Sequence, residues 1–158
     1  MIPYNSILIE IAIPVLLMLG LERFAVVRFL RTPKQIAWVR SRSWLHPNAI
    51  SRARYPMGVI SVMFLHMGCP RLCFLFFTFW MITDITDGDI ARKCDLHTEE
   101  GESIDPFSDK LMYSPMLVYL AWQGWLDPVL VTLFLAFDIT GQVSRRFTKI
   151  KAANLFGK

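Results

Sequence analysis

Residues 84–110 read DITDGDIARKCDLHTEEGESIDPFSDK, and the spacing of their carboxylates decides how the chain folds. If a helix beginning near Leu72 runs on through this stretch, Asp84, Asp87, Gly88, Ala91 and Arg92 fall at i, i+3, i+4, i+7 and i+8. That spacing is one face of a helix. Asp105 and Asp109 are four residues apart and share a face of the next helix. A turn near Gly101 that folds the two helices antiparallel brings four carboxylates together. Four like charges beside a low-dielectric medium repel strongly, so such a set persists only when cations neutralise it. Hard oxygen ligands suit magnesium or manganese, and four of them suffice for two ions, which clamp a pyrophosphate and stabilise its departure. Gly88 and Ala91 lack bulk, which leaves room for a nucleotide against the backbone. The guanidinium fork of Arg92 suits a phosphate.

Plainer explanations exist for each carboxylate alone. Asp105 before Pro106 has the pattern of a helix cap, and Asp84 and Asp87 mark where a helix leaves a membrane. Together these lose force, because carboxylates in or beside a bilayer are costly and usually functional.

Outward from this stretch the chain is apolar. Of its 158 residues 54% are hydrophobic and 19% charged, against about a quarter charged in an ordinary soluble domain. The mean hydropathy is +0.39. With several long apolar runs, the composition points to an integral membrane protein of one domain. The net charge is +4, but the basic residues cluster between apolar runs. That is the pattern of cytoplasmic loops facing anionic headgroups, and no nucleic-acid partner is expected.

Residues 2–20 form the first apolar run, interrupted by Glu10 and Pro14; a membrane span is expected, with a tilted interfacial helix as the other reading. Almost no basic residue precedes it and no small-x-small site follows, so it does not read as a cleavable signal. Residues 31–54 are basic, and PKQIAWVRSRSW within them reads as an amphipathic surface helix with tryptophans at headgroup level. HPNAIS opens a new helix with Pro47 in its first turn. Apolar runs follow at Tyr55–Met67, at LCFLFFTFWMI, at KLMYSPMLVYLAW and at VLVTLFLAFDI, the last after an Asp127–Pro128 cap. With 31–54 in the cytoplasm, 84–110 and 141–158 are also inside, and the two outer loops together carry one basic residue, Arg71. The positive-inside rule is met. Cys69, Cys73 and Cys94 lack paired spacing and read as small buried hydrophobes. His46, His66 and His97 lack zinc spacing and read as helix-end or loop residues.

The full pattern D-x-x-D-G-x-x-A-R-x8-G-x3-D-x3-D resembles the signature of the CDP-alcohol phosphatidyltransferase family, with all eight fixed positions present: Asp84, Asp87, Gly88, Ala91, Arg92, Gly101, Asp105 and Asp109. PNAISRAR, from Pro47 to Arg54, is similar to the family's P-N-x-L-T-x-x-R segment, with Ser51 where threonine is usual. DPFSDKL resembles the D-P-x-A-D-K-L of the phosphatidylglycerophosphate synthase branch, and KAANLFGK the start of a basic G-K-x-K-T segment. The likeness covers about residues 47–158.

This resemblance implies an all-α membrane helix bundle. Residues 47–158 form the family core with four core helices, and 1–46 form an extra N-terminal helix and a juxtamembrane segment. It implies transfer of a phosphatidyl group from CDP-diacylglycerol to a small alcohol, first glycerol-3-phosphate with an inositol phosphate or a phospholipid as the other acceptors, and release of CMP at the cytoplasmic face of the bilayer. Asp84, Asp87, Asp105 and Asp109 are the expected ligands of two Mg2+ or Mn2+ ions, with Asp109 also the general base. Asn48, Ser51, Gly88, Ala91, Arg92, Thr98 and Gly101 are the expected contacts of the CDP-lipid. Dimerisation is a further family expectation.

Two departures accompany the likeness. Family members have six core helices, whereas this sequence stops after four, at Gly157–Lys158. The expectation is an incomplete core: a fragment, a split or decayed gene, or a short form completed by another subunit. The glycerophosphate branch also carries an Arg-Glu pair where this chain has Phe137–Asp138. Arg145, Arg146, Lys149 and Lys151 are the candidates to bind the acceptor phosphate instead, a positive-inside anchor being their plainer role. The reading from a different class is a non-catalytic family remnant that binds metal or nucleotide in the membrane.

Overall fold

The computed structural model describes the backbone of residues 4–98 and 101–156, and among these the side chains of 10–98, 101 and 104–144. Within the described residues the chain is helical, with no strand: α1 Tyr4–Phe29, α2 Pro33–Arg40, a 3-10 turn at Ser43–Leu45, α3 Pro47–Ala53, α4 Met57–His66, α5 Pro70–Cys94, α6 Gly101–Trp122 and α7 Pro128–Phe156. It forms two compact units, Met1–Tyr113 and Ser114–Lys158.

In the first unit α2 and α3 begin where the sequence supplies caps. Thr32 and Gln35 form a reciprocal capping box with Pro33 in the first turn of α2. The α2 helix stops at Ser41, whose hydroxyl donates to the Trp38 carbonyl at 2.7 Å, so the expected amphipathic helix is shorter than its twelve-residue motif. Trp38 and Trp44 are exposed, and the Arg42 guanidinium lies 5.5 Å over the Trp38 ring. At α3, His46 Nδ1 accepts from the Asn48 amide at 3.3 Å and Pro47 follows; His66 ends α4 and His97 lies in the loop after α5. Cys73 and Cys94 are buried, while Cys69 is exposed at the start of α5.

The α5 helix is the element on which the others assemble. Arg23 of α1 donates to Asp89 at 2.7 Å, and Thr86 donates to Glu22 at 3.1 Å. Arg40 Nε donates to the Cys94 carbonyl at 2.7 Å, capping the C-terminal end of α5 where Asp95 turns left-handed at φ 53°. Val26, Leu30, Val39, Ile90 and Cys94 form the core between these helices, with Ile36, Leu45, Ile50 and Leu96 packed against it. Each large aliphatic side chain buried there contributes about 1.5–3 kcal/mol. Backbone meets backbone at Gly58 of α4, where a Cβ would stand 2.4 Å from the Leu111 and Met112 carbonyl oxygens of α6. Only glycine allows that approach.

The second unit holds the rest of α6 and α7. Gly124 turns the chain with φ 75°. Asp127 Oδ1 accepts from the Val129 and Leu130 amides at 2.8 and 3.0 Å, the cap read from Asp127–Pro128. Trp122, Trp125, Leu130 and Phe137 are exposed.

Among the described residues no helix is both long enough and apolar enough to cross a membrane. In α5, Arg71 and Asp84 bound the apolar stretch Leu72–Thr83. That stretch covers about 18 Å at 1.5 Å per residue, against about 30 Å of bilayer hydrocarbon.

Candidate functional site

The α5 helix carries Asp84 and Asp87 one turn apart, and α6 carries Asp105 and Asp109 one turn apart. The side chain at their centre is Arg54, the residue that closes α3. It is fully buried, at 0% exposure. Its Nη1 donates to Asp84 Oδ1 at 2.8 Å and to Asp109 Oδ1 at 2.9 Å, and its Nη2 donates to Asp87 Oδ2 at 2.8 Å. Its Nε is buried without a hydrogen-bond partner. The planar fork of an arginine is what allows one side chain to bridge three carboxylates.

Asp105 joins the cluster through Ser51. The buried Ser51 hydroxyl lies 2.8 Å from Asp87 Oδ2 and 2.8 Å from Asp105 Oδ1, with the Pro47 carbonyl at 3.1 Å. A hydroxyl carries one proton, so it donates to one of these acceptors at a time. Ser108, also buried, lies 2.9 Å from the Ser51 carbonyl. The result is a cup. Asp87, Ser51 and Arg54 form its floor, and Asp84 and Asp109 form its rim with side chains 41% and 37% exposed.

The electrostatics follow the burial. Asp87 is pushed up to about 7 by desolvation, with the Arg54 charge and the Ser51 hydrogen bond opposing. Asp109 is raised in the same way by burial and then by the neighbouring Asp84 charge. One guanidinium balances one of four carboxylates, and the cluster retains an appetite for positive charge. Its donors are hard oxygens, the chemistry that Mg2+ and Mn2+ select. As the side chains stand, no three His, Cys, Asp or Glu among the described residues are placed to hold a metal ion; Asp84, Asp87 and Asp109 each turn one oxygen to the guanidinium instead.

A second group adjoins this one on α3. Asn48 Nδ2 donates to Thr98 Oγ1 at 3.1 Å, and the Gly101 amide donates to the same oxygen at 2.9 Å. A Cβ at position 101 would stand 2.8 Å from Asn48 Oδ1. Thus Asn48, Thr98 and Gly101 are brought together. Position 88 is different: a Cβ there would meet only the Arg92 guanidinium, at 3.9 Å. Packing within the chain does not require that glycine. Ala91 is buried. Arg92 is exposed and turned towards its own helix, Nη2 donating to Asp89 Oδ1 at 2.6 Å. It does not touch the four carboxylates; its hydrogen bond goes to Asp89, whose pKa that bond holds low. The side chains of Arg145, Arg146, Lys149 and Lys151 lie outside the described residues.

Two residues carry more of this geometry than sequence reasoning gave them. Arg54 was legible only as the last letter of the PNAISRAR segment, in a stretch whose other arginines read as a headgroup-facing loop. Asp89, between Asp87 and Arg92, has no fixed place in the spaced pattern, yet it ties α1 to α5 through Arg23.

The family model described as CDP-alcohol phosphatidyltransferase matches residues 44–157. The chain is 31% identical over 104 residues to a CDP-diacylglycerol--glycerol-3-phosphate 3-phosphatidyltransferase of Rickettsia bellii, covering 64% of this chain and 58% of that protein. It is 37% identical over 82 residues to the protein of the same description from Bacillus subtilis, covering 48% and 42%. It is also 34% identical over 101 residues to a cardiolipin synthase (CMP-forming) / mitochondrial hydrolase fusion protein of Schizosaccharomyces pombe, covering 64% and 17%. The matched region thus spans little more than half of the Rickettsia relative. No solved structure matches.

Proposed function

This chain belongs to the CDP-alcohol phosphatidyltransferase family, and from that premise we propose that it transfers a phosphatidyl group from CDP-diacylglycerol to glycerol-3-phosphate, releasing CMP. The observation that carries the reading is the convergence of the four carboxylates, three on the Arg54 fork and the fourth through Ser51. The printed activity of the Rickettsia and Bacillus relatives supports the choice of acceptor.

Asp84, Asp87, Asp105 and Asp109 are the residues to hold two Mg2+ or Mn2+ ions, which when bound supply the charge that a departing phosphate oxygen needs. Asp109 is suited to the base role because it stands on the open rim and burial raises its affinity for a proton. In the proposed step the acceptor hydroxyl oxygen bonds to the phosphorus that bears the diacylglycerol. The bond from that phosphorus to the bridging oxygen breaks, CMP leaves with the electron pair, and the hydroxyl proton passes to Asp109. Asn48, Thr98 and Gly101 adjoin the cup where the CDP moiety is to bind, with Ser51 in its floor, and the bare backbone at Gly88 leaves space for it. Arg92 reaches a phosphate by exchanging its Asp89 partner. Arg145, Arg146, Lys149 and Lys151 are the proposed acceptor-phosphate contacts.

The reading includes an integral membrane protein with this cup at the cytoplasmic face, and a homodimer. Exposed Leu16, Leu17, Leu21 and Phe24 on α1 and Val129, Leu130 and Phe137 on α7 support the bilayer setting, as does a lipid-linked substrate. The test is CMP release by the purified chain in mixed micelles of CDP-diacylglycerol. CMP is expected only when both a divalent cation and glycerol-3-phosphate are added; none across a panel of alcohol acceptors overturns the reading.

A further inference from the structure

We propose that Arg54 is a built-in counter-cation that competes with divalent metal for the same carboxylate oxygens, so that metal loading and release of the Arg54 fork are one event. The inference rests on the reading that these carboxylates hold metal, and it adds a role to a residue outside the ligand set.

The geometry leads there directly. A cation held between Asp84, Asp87 and Asp109 would stand where the guanidinium now stands, since Asp84 and Asp109 each turn Oδ1 to the same Nη1 atom. Asp87 spends Oδ2 on Nη2. A guanidinium and a dication cannot both stand within contact distance of these oxygens without strong mutual repulsion. Arg54 is also not fully satisfied in this position: it is 0% exposed, yet its Nε has no acceptor. A buried N–H left unmade is a cost of the metal-free arrangement, and leaving the cup relieves it. The benefit while it stays is that three carboxylates packed around one point are held by positive charge instead of repelling one another. A metal-free cup therefore remains folded, and metal enters by exchange.

The opposing expectation is that Arg54 is a scaffold that positions the carboxylates for metal. The two differ in sign. Full-length chain in detergent micelles is titrated with Mn2+, free Mn2+ being read by electron paramagnetic resonance, for the wild type, Arg54→Gln, Arg54→Lys and Asp105→Asn. Competition gives Arg54→Gln an Mn2+ affinity about tenfold or more above the wild type. Arg54→Lys, which keeps the charge but cannot fork, falls between. In chelator the same Gln variant unfolds at lower temperature than the wild type, and Mn2+ closes the gap. An Mn2+ affinity equal to or below the wild type in folded Arg54→Gln overturns the proposal.

Should Arg54→Gln fail to fold, the wild type alone decides. Phenylglyoxal modification mapped by mass spectrometry should leave Arg54 untouched in chelator and modify it at saturating Mn2+; equal labelling in both overturns the proposal. If the wild type shows no Mn2+ binding that Asp105→Asn weakens, the metal reading itself falls and this inference with it.

Discussion

Asp84 and Asp109 share one hydrogen-bond donor: Nη1 of Arg54 lies 2.8 Å from the first and 2.9 Å from the second, although they belong to different helices. Two carboxylates that meet the same atom are within reach of the same ligand. Their difference lies in what else surrounds them. Asp84 stands one turn from buried Asp87 on α5, while Asp109 stands on α6 one turn from Asp105, which Ser51 holds.

Asp109→Asn tests the base role. The amide oxygen keeps the Arg54 contact, so the fold and binding of the CDP-lipid are expected to remain near wild type. Turnover should fall by about 10²–10⁴, the usual contribution of a positioned general base. Steady-state kinetics alongside equilibrium binding of CDP-diacylglycerol make the comparison. Near-normal turnover removes Asp109 from the role.

Two glycines should respond in opposite ways to the same substitution. Gly58→Ala forces a methyl to 2.4 Å from two carbonyl oxygens and is expected to destabilise by about 1–3 kcal/mol or more, read as a lower unfolding temperature. Gly88→Ala meets only the far end of Arg92 at 3.9 Å. It should leave stability unchanged or slightly raised, by up to about 1 kcal/mol from helix propensity, while activity falls because substrate loses its approach to the backbone. Full activity in Gly88→Ala contradicts the substrate-facing reading of that position.

Acidity supplies a third prediction. Asp87 is raised from 3.8 to about 7 by burial, so the folded chain holds its proton more tightly than the unfolded one. Its contribution to stability is therefore present below about 4 and lost as pH rises through about 7. In chelator, the unfolding temperature should decline between pH 5 and pH 8 more steeply in the wild type than in Asp87→Asn. Mn2+ should reverse the trend, because metal binds the ionised carboxylate and displaces the proton. Identical pH slopes in the two proteins contradict the assignment.

Much of this site was legible from spacing. Asp84 and Asp87, and Asp105 and Asp109, fall one turn apart in any helix, and Gly101 begins the second helix where the turn was expected. The caps at Pro47 and Asp127–Pro128 were equally local. What spacing does not carry is a side chain from a third helix. Arg54 reaches the cup because Gly58 lets α4 lie backbone to backbone on α6 and because Ser51, a turn earlier on α3, docks on Asp87 and Asp105. Neither contact leaves a periodic trace. Arg92 shows the converse: spacing puts it on the face of Asp84 and Asp87, but its guanidinium has reach enough to turn to Asp89.

The most direct test is equilibrium titration of the purified chain with Mn2+. Two ions per chain are expected, with affinity lost in Asp84→Ala and in Asp105→Ala. No bound Mn2+, or binding that survives both substitutions unchanged, contradicts a metal site built from the acidic faces of α5 and α6.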